Sequence, residues 1–471
     1  MIQHGWPGHM SEGEKIRRRS FLSSVATGGM AFSLPMLEER PAGAAEQRSG
    51  AGASNRGEVR ESPARSALPC RMNLDGSVAR IGKWRLGEIE RWYEEQLAVD
   101  TIAFWQAHGI DREHGGYLRP DKKTKACQTT DKDLYSQGRL LWLFSFLHNN
   151  FGKDPEHLAA ARQGKEALVR QGRVAGGHWG TLYSRDWKPK EGFLDIYADV
   201  YMVLGLQEYY KATGDDEARK LALETTLAAT RTVLAPEYLG AGHGPVYEPG
   251  IKRLGTWVHL LFPLTQFLSH TPDERLERIA RFCVRSILTR HWQRDEGFAW
   301  ECLDHLYQPY SRDYLSQWTK DYDWAHQILG WHTIQAAFNV MFEALRLDNR
   351  EMFYDGLALG FQTLRAHWSS AGNGGPQEFD GPESLKQRAG KPEPDAAIYD
   401  YLLFTLLAIE HTLSPDAIEW FETIYAAALR RPEGIYTGSL TLHEPRGVML
   451  ALLILKRLKE RNGRSSSFLQ R

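Results

Sequence analysis

The residues best suited to chemistry are three histidines and one arginine, each beside aromatic side chains near what reads as a helix start. In the stretch 321–345, Trp324, Ile328, Trp331, Ile334, Phe338, Met341 and Leu345 recur at three- and four-residue steps. That period lines one helical face with apolar groups and predicts a single helix over the stretch. Asp321 or Asp323 caps it, since a short carboxylate accepts an otherwise unpaired first-turn N–H. His326 then falls in the first turn, where the positive end of the helix dipole disfavours an imidazolium. A neutral imidazole held there can accept a proton. His443 precedes another helix: Pro445 suits a first helical position and makes Glu444 the cap. Trp257 and His259 open a third helix, and Tyr135, Gln137 and Arg139 a fourth. In a cavity wall, Arg139 either pairs with Asp199 or Asp400 or clamps an oxyanion.

A second set is acidic. Asp199, Glu301, Asp304, Glu378 and Asp400 are available for hydrolysis of a glycosidic bond, which needs two carboxylates facing across a cavity. Taken singly, each is equally a helix cap or a surface ion pair.

From Trp84 onward the chain reads as helices with almost no strand alternation. The predicted spans are 86–108, 133–150, 155–171, 195–213, 215–234, 256–269, 272–291, 321–345, 350–369, 396–412, 415–431 and 445–460. Short connections join the second, fourth, sixth, eighth and tenth helices to their successors. Long linkers rich in Gly and aromatics precede the even-numbered helices. They share a look: Glu113-His-Gly-Gly-Tyr117, Gly176-Gly-His-Trp-Gly180, Gly242-His-Gly-Pro-Val-Tyr247, Glu433-Gly-Ile-Tyr436. A recurrence of about sixty residues signals a repeated helical pair. Six pairs close most simply into an all-α (α/α)6 barrel, whereas an open solenoid of the same pairs would need its ends capped. All long linkers then lie on one rim, and the first turns of the even helices face it. Those positions hold Tyr135 and Arg139; Asp195, Tyr197 and Asp199; Trp257 and His259; Trp324 and His326; Asp395, Tyr399 and Asp400; and His443 with Arg446.

Formal charge is −1 and no basic tract follows the amino-terminal arginines, which argues against nucleic acid as a partner. Aromatic residues reach 11 %, a surplus that suits a deep ring-binding pocket. Arg17, Arg18 and Arg19 precede Ser20-Phe21-Leu22 and a modest apolar run over 25–37, the layout of a twin-arginine export signal. That run is too short to span a bilayer. Residues 1–45 are therefore read as the signal, ending near Ala42-Gly43-Ala44, and 46–83 as a disordered linker rich in Gly, Ser, Arg and Glu. The barrel occupies 84–462 and a polar tail 463–471. The expected location is periplasmic or secreted, with the twin-arginine translocase as a transient partner and a monomer or homodimer as the assembly. Four cysteines, Cys70, Cys127, Cys283 and Cys302, have no metal spacing, and Cys283 sits in a helical apolar pattern that predicts a core position. No phosphate loop or H-E-x-x-H motif is found, so no cofactor or metal is expected.

With these residues in view, the chain resembles the N-acylglucosamine 2-epimerase superfamily, which includes cellobiose 2-epimerases and aldose–ketose isomerases. Phe104-Trp-x-x-His-Gly-Ile-Asp-Arg-Glu-His-Gly-Gly-Tyr117 is similar to its opening helix and loop. Tyr135-Ser-Gln-Gly-Arg-Leu-Leu-Trp142 is similar to its Q-x-R-x-x-W signature. Ile196-Tyr-Ala198, Val258-His-Leu-Leu261, Ala325-His326 and Leu442-His443-x-x-Arg446 follow in the family's order. The resemblance implies an (α/α)6 barrel acting on a mono- or oligosaccharide by proton transfer at C2. One histidine removes the proton, a cis-enediolate forms, and a second returns a proton to C2 or C1. Carried over by position, His326 and His443 are the acid–base pair. Arg139, Tyr135, His259, Asp199, Tyr197, Trp324, Glu378 and Arg446 line the pocket. The sequence departs from the family pattern in three places. Leu329 stands where many members have a glutamate after the first histidine, Asp199 where many have a histidine, and Gly374-Gly375 where an aromatic pair precedes Gln-x-Glu.

Overall fold

A proline at a first helical position, with a short polar residue before it, fixes where several helices begin. Asp154 caps the helix that opens at Pro155 by accepting the Glu156 N–H at 2.8 Å, and Pro415 starts another after Ser414. The computed structural model describes residues 80–121, 124–127, 129–190, 196–238, 249–310, 326–372, 374–430 and 442–469, all within the compact unit Cys70–Arg471. The expected export segment, Cys70, Asp195, Asp321, Asp323 and Trp324 lie outside the described residues.

Twelve α-helices carry the fold among the described residues. They are α1 (Leu86–Glu95), α2 (Leu134–Asn150), α3 (Pro155–Gln171), α4 (Ile196–Thr213), α5 (Asp216–Leu234) and α6 (Leu254–Leu268). The second half has α7 (Glu274–Ser286), α8 (Gly330–Arg346), α9 (Arg350–His367), α10 (Ile398–Thr412), α11 (Pro415–Leu429) and α12 (His443–Glu460). A short helical turn, Pro382–Lys386, sits on the rim loop before α10. The even helices form the inner wall, each packed on the next, and each odd helix backs the inner helix before it. The sixth pair is built from the two ends of the barrel, since α12 finds its outer partner in α1. Six hairpins thus close into an (α/α)6 barrel.

Sequence and burial agree on the two rings. Inner helices are apolar all round: in α6 every residue but Gln266 is buried, as expected of a helix walled on all sides. Outer helices bury one stripe only, as α7 does with Leu276, Ala280, Cys283 and Val284. Cys283 and Cys302 are buried free thiols. The inner wall also needs close backbone approach. A Cβ on Gly138 of α2 would strike the Tyr201 backbone of α4, so only glycine lets these helices meet.

The structure departs from the sequence reading in several places. The predicted helix over 321–345 begins at Gly330, so His326 lies in the approach segment rather than in a first turn. Ile328, read as part of the helical stripe, instead pairs with Phe379 in a β-bridge. The helix over 86–108 is regular only to Glu95 and continues as wider π turns over Gln96–Ala103 and Trp105–Gly109. The tail packs down, with Phe468 against Phe353 and His411 and the Ser466 N–H on the Glu410 carbonyl.

Strands were not expected, but short antiparallel ladders tie the rim loops together. Lys132–Asp133 (β1) pairs with Leu182–Tyr183 (β2), and Lys252–Arg253 (β3) pairs with Cys302–Leu303 (β4). Gly375–Glu378 (β6) lies between Trp368–Ser369 (β5) and Lys391–Pro392 (β7). Two- to four-residue ladders satisfy loop backbone groups that the crowded rim hides from water.

Candidate active site

The first turns of α6, α8 and α12 bring three histidines to the middle of the rim. His443 is buried at the start of α12, and its Nδ1 lies 2.8 Å from Asp400 Oδ2 in the first turn of α10. Arg446, one turn further along α12, donates to the other oxygen of Asp400. Burial alone would push the Asp400 carboxyl up, but Arg446 and His443 outweigh it and hold the group below its usual range. The imidazole of His443 is driven down to about 4 by burial, against the pull of Asp400. It is thus neutral near pH 7, and its Nε2 has no hydrogen-bond partner among the described residues.

His332, in the first turn of α8, repeats the arrangement. Its Nδ1 lies 2.8 Å from Glu301 Oε2, and Glu301 also receives Arg253 Nη2 at 3.4 Å. Burial opposes the Glu301 charge, yet His332 and Arg253 together keep this carboxyl below its ordinary value. Trp331 stacks on His332 at 4.3 Å between ring centres and touches the His443 ring at 5.7 Å. The sequence reading passed over His332 because the apolar stripe was extended back through Ile328 and hid the true helix start. The signal that marks it is Gly330. A Cβ there would collide with the Tyr401 hydroxyl, the Glu393 carboxylate and the His367 ring.

His259 completes the group. Its ring is 5.4 Å from that of His332 and 5.0 Å from that of Tyr197, and neither nitrogen has a hydrogen-bond partner among the described residues. Burial pushes its pKa well below the ordinary value, with His332, Arg139 and His443 adding to the effect. A buried imidazole without partners is expensive unless something else occupies the space it faces.

Arg139 takes neither of the carboxylates expected for it. Its guanidinium lies against the Tyr135 and Tyr201 rings, 3.7 and 4.1 Å from their centres, and donates to both phenol oxygens, 2.7 Å to Tyr201. The reason is that both acids are engaged elsewhere. Asp400 holds His443 and Arg446. Asp199 is fully buried and fixes the rim loop before α4, accepting from His178 Nδ1 at 2.6 Å and the Trp179 N–H at 2.8 Å. Arg139 therefore keeps its charge beside two polarisable phenol rings.

Among the other expected residues, Tyr197 sits beside His259, Tyr135 packs edge-on against Tyr197, and Arg446 rests over Phe262 and Phe338 of the inner wall. Glu378 of β6 is half-buried with its pKa raised by burial, and it lies close enough to His332 to interact with it electrostatically. His326 stands apart in its hydrogen bonding, its Nε2 lying 2.6 Å from the Tyr310 carbonyl. The acids considered for hydrolysis are largely committed: Asp304 accepts the N–H groups of Leu306 and Gln308 within its own loop.

Comparison with known proteins agrees with this architecture. The family model of N-acylglucosamine 2-epimerase (GlcNAc 2-epimerase) matches residues 115–347. The chain is 27 % identical over 242 residues to N-acylglucosamine 2-epimerase of Homo sapiens, covering 48 % of this chain and 53 % of that protein. It thus spans about half the length of that relative. The solved cellobiose 2-epimerase of Spirochaeta thermophila DSM 6192 superposes with a TM-score of 0.64 at 17 % identity, over 79 % of this chain and 98 % of that one. A solved D-mannose isomerase gives 0.64 at 14 % identity, over 78 % and 97 %. At such identities the structural likeness speaks for the shared barrel. Over residues 115–347, just under half of the chain, the sequence is similar to N-acylglucosamine 2-epimerases.

Proposed function

We propose that the protein is a carbohydrate epimerase or aldose–ketose isomerase that moves a proton at C2 of a ring-opened sugar. The observation that carries this reading is His443, held by Asp400 at Nδ1 with Nε2 open, beside a second imidazole and the Arg139 cation. The chemistry needs only acid–base groups. A base takes the C2 proton, the electron pair closes the C1–C2 double bond, and the carbonyl oxygen gains negative charge. Arg139 faces that charge with a cation already held by two phenols. Reprotonation at C2 from the other side gives the epimer, and at C1 the ketose. A neutral imidazole suits both halves of the cycle because one residue can accept and then return the proton. His326 is the partner of His443 that the resemblance offers. The names of the relatives suggest N-acylated hexosamines, cellobiose and D-mannose as first substrates to try.

The hydrolase alternative is the weaker one, because Asp199, Glu301, Asp304 and Asp400 are all bound to protein groups. Export by the twin-arginine route is part of the same proposal, with the substrate met outside the cytoplasm. The test of function is proton NMR of D-mannose, N-acetylmannosamine and cellobiose with the protein in D₂O. Loss of the C2 proton signal supports the reading, and an unchanged C2 proton across all three sinks it.

A further inference from the structure

The outer wall carries a cleft between α9 and α11 that shares none of the histidines at the rim. Its volume is about 320 Å³, within the range of about 300–1,000 Å³ usual for small-molecule sites. The sequence of α11 explains how it arises. Ala417, Ile418, Phe421, Ile424 and Tyr425 are buried and fill the face turned to the inner ring. Asp416, Glu419, Trp420 and Thr423 recur at three- and four-residue steps on the opposite face, and all four line the cleft. Solvent asks only for a polar stripe on an outer helix, so a tryptophan within it needs another reason.

Trp368 of β5, just beyond the end of α9, meets Trp420 at 6.4 Å between ring centres and 75° between planes. The two indoles form a corner, and both keep part of their surface in solvent. Trp368 also packs on Tyr401 of α10, at 6.4 Å between ring centres, which steadies one wall of the corner from the inner ring. Polar groups edge the corner. Arg365 of α9 and Asp416 pair at 3.3 Å. The Thr423 hydroxyl donates to the Glu419 carbonyl at 2.9 Å and keeps its lone pairs for an incoming donor. The Glu419 carboxylate makes no hydrogen bond among the described residues and is exposed.

Charge narrows the class of ligand. A cation entering here meets Arg365, and an anion meets Asp416 and Glu419, so neither sign is favoured strongly. A neutral polyhydroxylated ring satisfies every wall at once. Its C–H face lies on an indole, and its hydroxyl edge finds a guanidinium donor and carboxylate acceptors. We propose that this cleft is a second saccharide-binding site, which takes a pyranose ring of a neutral sugar against Trp368 and Trp420. Binding here breaks no bond and does not depend on the proton-transfer reading above.

The test is fluorine NMR of the full chain labelled with fluorotryptophan, the two indole signals being assigned from Trp368→Phe and Trp420→Phe. The probes are methyl α-D-mannopyranoside, methyl β-D-glucopyranoside and cellotetraose; the two methyl glycosides cannot ring-open, so turnover does not disturb their titrations. The Trp420 signal is expected to move and saturate in the millimolar range with at least one probe. Trp420→Ala should weaken that binding about tenfold, read from the Trp368 signal, the scale of one lost aromatic contact. A folded His443→Gln protein should show the parental Trp420 shift, and loss of the shift there would assign it to the rim site and overturn the proposal. Indole signals that stay fixed with all three probes at tens of millimolar overturn it, as does unchanged affinity in Trp420→Ala. Sedimentation of Trp420→Ala as a smaller species than the parent would assign the cleft to a second copy of the chain and likewise overturn it. A parent that shows the Trp420 shift but exchanges no C2 proton overturns the epimerase reading and leaves this site standing.

Discussion

Glu393 accepts the backbone N–H of Trp331 at 3.0 Å and so caps α8 from a rim loop that follows the next helix in the chain. The residue at the cap position, Leu329, has no side chain able to do this. Tyr401 donates to the same carboxylate at 3.1 Å, and burial holds the Glu393 pKa well above the usual value. The start of α8, with His332 on it, therefore depends on a residue from another hairpin. Glu393→Ala is expected to cost about 1–3 kcal/mol, the price of orphaned buried donors, measured by urea unfolding.

Gly330→Ala tests the same corner by crowding rather than deletion. The added methyl meets Tyr401, Glu393 and His367 at once, so an overpacking cost of about 1–3 kcal/mol is expected. Exchange activity should fall with it, because relief of the clash must move Trp331 and His332. A variant as stable and active as the parent would contradict this packing.

Asp400→Asn removes the charge that both His443 and Arg446 use. The guanidinium of Arg446 is then buried beside Phe262 and Phe338 without a carboxylate. A loss of about 3–5 kcal/mol is expected from breaking one side of a buried ion pair. Denaturant midpoints of the parent and variant at pH 7 decide it.

Acid should weaken the protein through its buried histidines. His291, His367, His411 and His443 are each pushed down to about 4, with burial the leading cause. Between the ordinary histidine value near 6.5 and about 4, the unfolded chain binds protons on these rings that the native state refuses. Stability therefore rises with pH over that window and falls as pH is lowered through it. His411→Gln removes one such group, so its melting temperature should drop less steeply than the parent's between pH 6.5 and 4. Parallel curves would show that His411 takes up its proton equally in the folded and unfolded chain.

Export is tested apart from chemistry. Replacing Arg18 and Arg19 by lysine is expected to leave the protein in the cytoplasmic fraction of a host with a twin-arginine translocase. Periplasmic recovery of the double variant at parental levels would remove the signal assignment.

Much of the barrel was readable because helices of this size carry their own punctuation. The expected span 155–171 matches α3 to the residue, and 215–234 differs from α5 only in including its cap Asp215. Arg446, His259 and Arg139 can be located because each follows such a start, and His443 because it borders one. His332 could not, for a physical reason. Ile328 is apolar because it pairs with Phe379 in the rim, yet it falls in phase with Ile334 and Phe338 and lengthens the apparent stripe. Periodicity cannot separate a loop residue buried by a distant strand from one buried by its own helix. The two-residue ladders were equally silent, because so short a strand has no alternation to read. The partners of Arg139 depended on Tyr201, a full turn beyond the first turn that was searched.

The union of α12 with α1 gives the barrel a seam between its two chain ends. Until the last inner helix is made, the earlier hairpins can form only an open trough, with α1 lacking the neighbour that covers it. Asp400 waits in that trough without His443 or Arg446. The last inner helix thus seals the wall and supplies both partners of a buried carboxylate, so its loss would open the barrel and orphan Asp400 together.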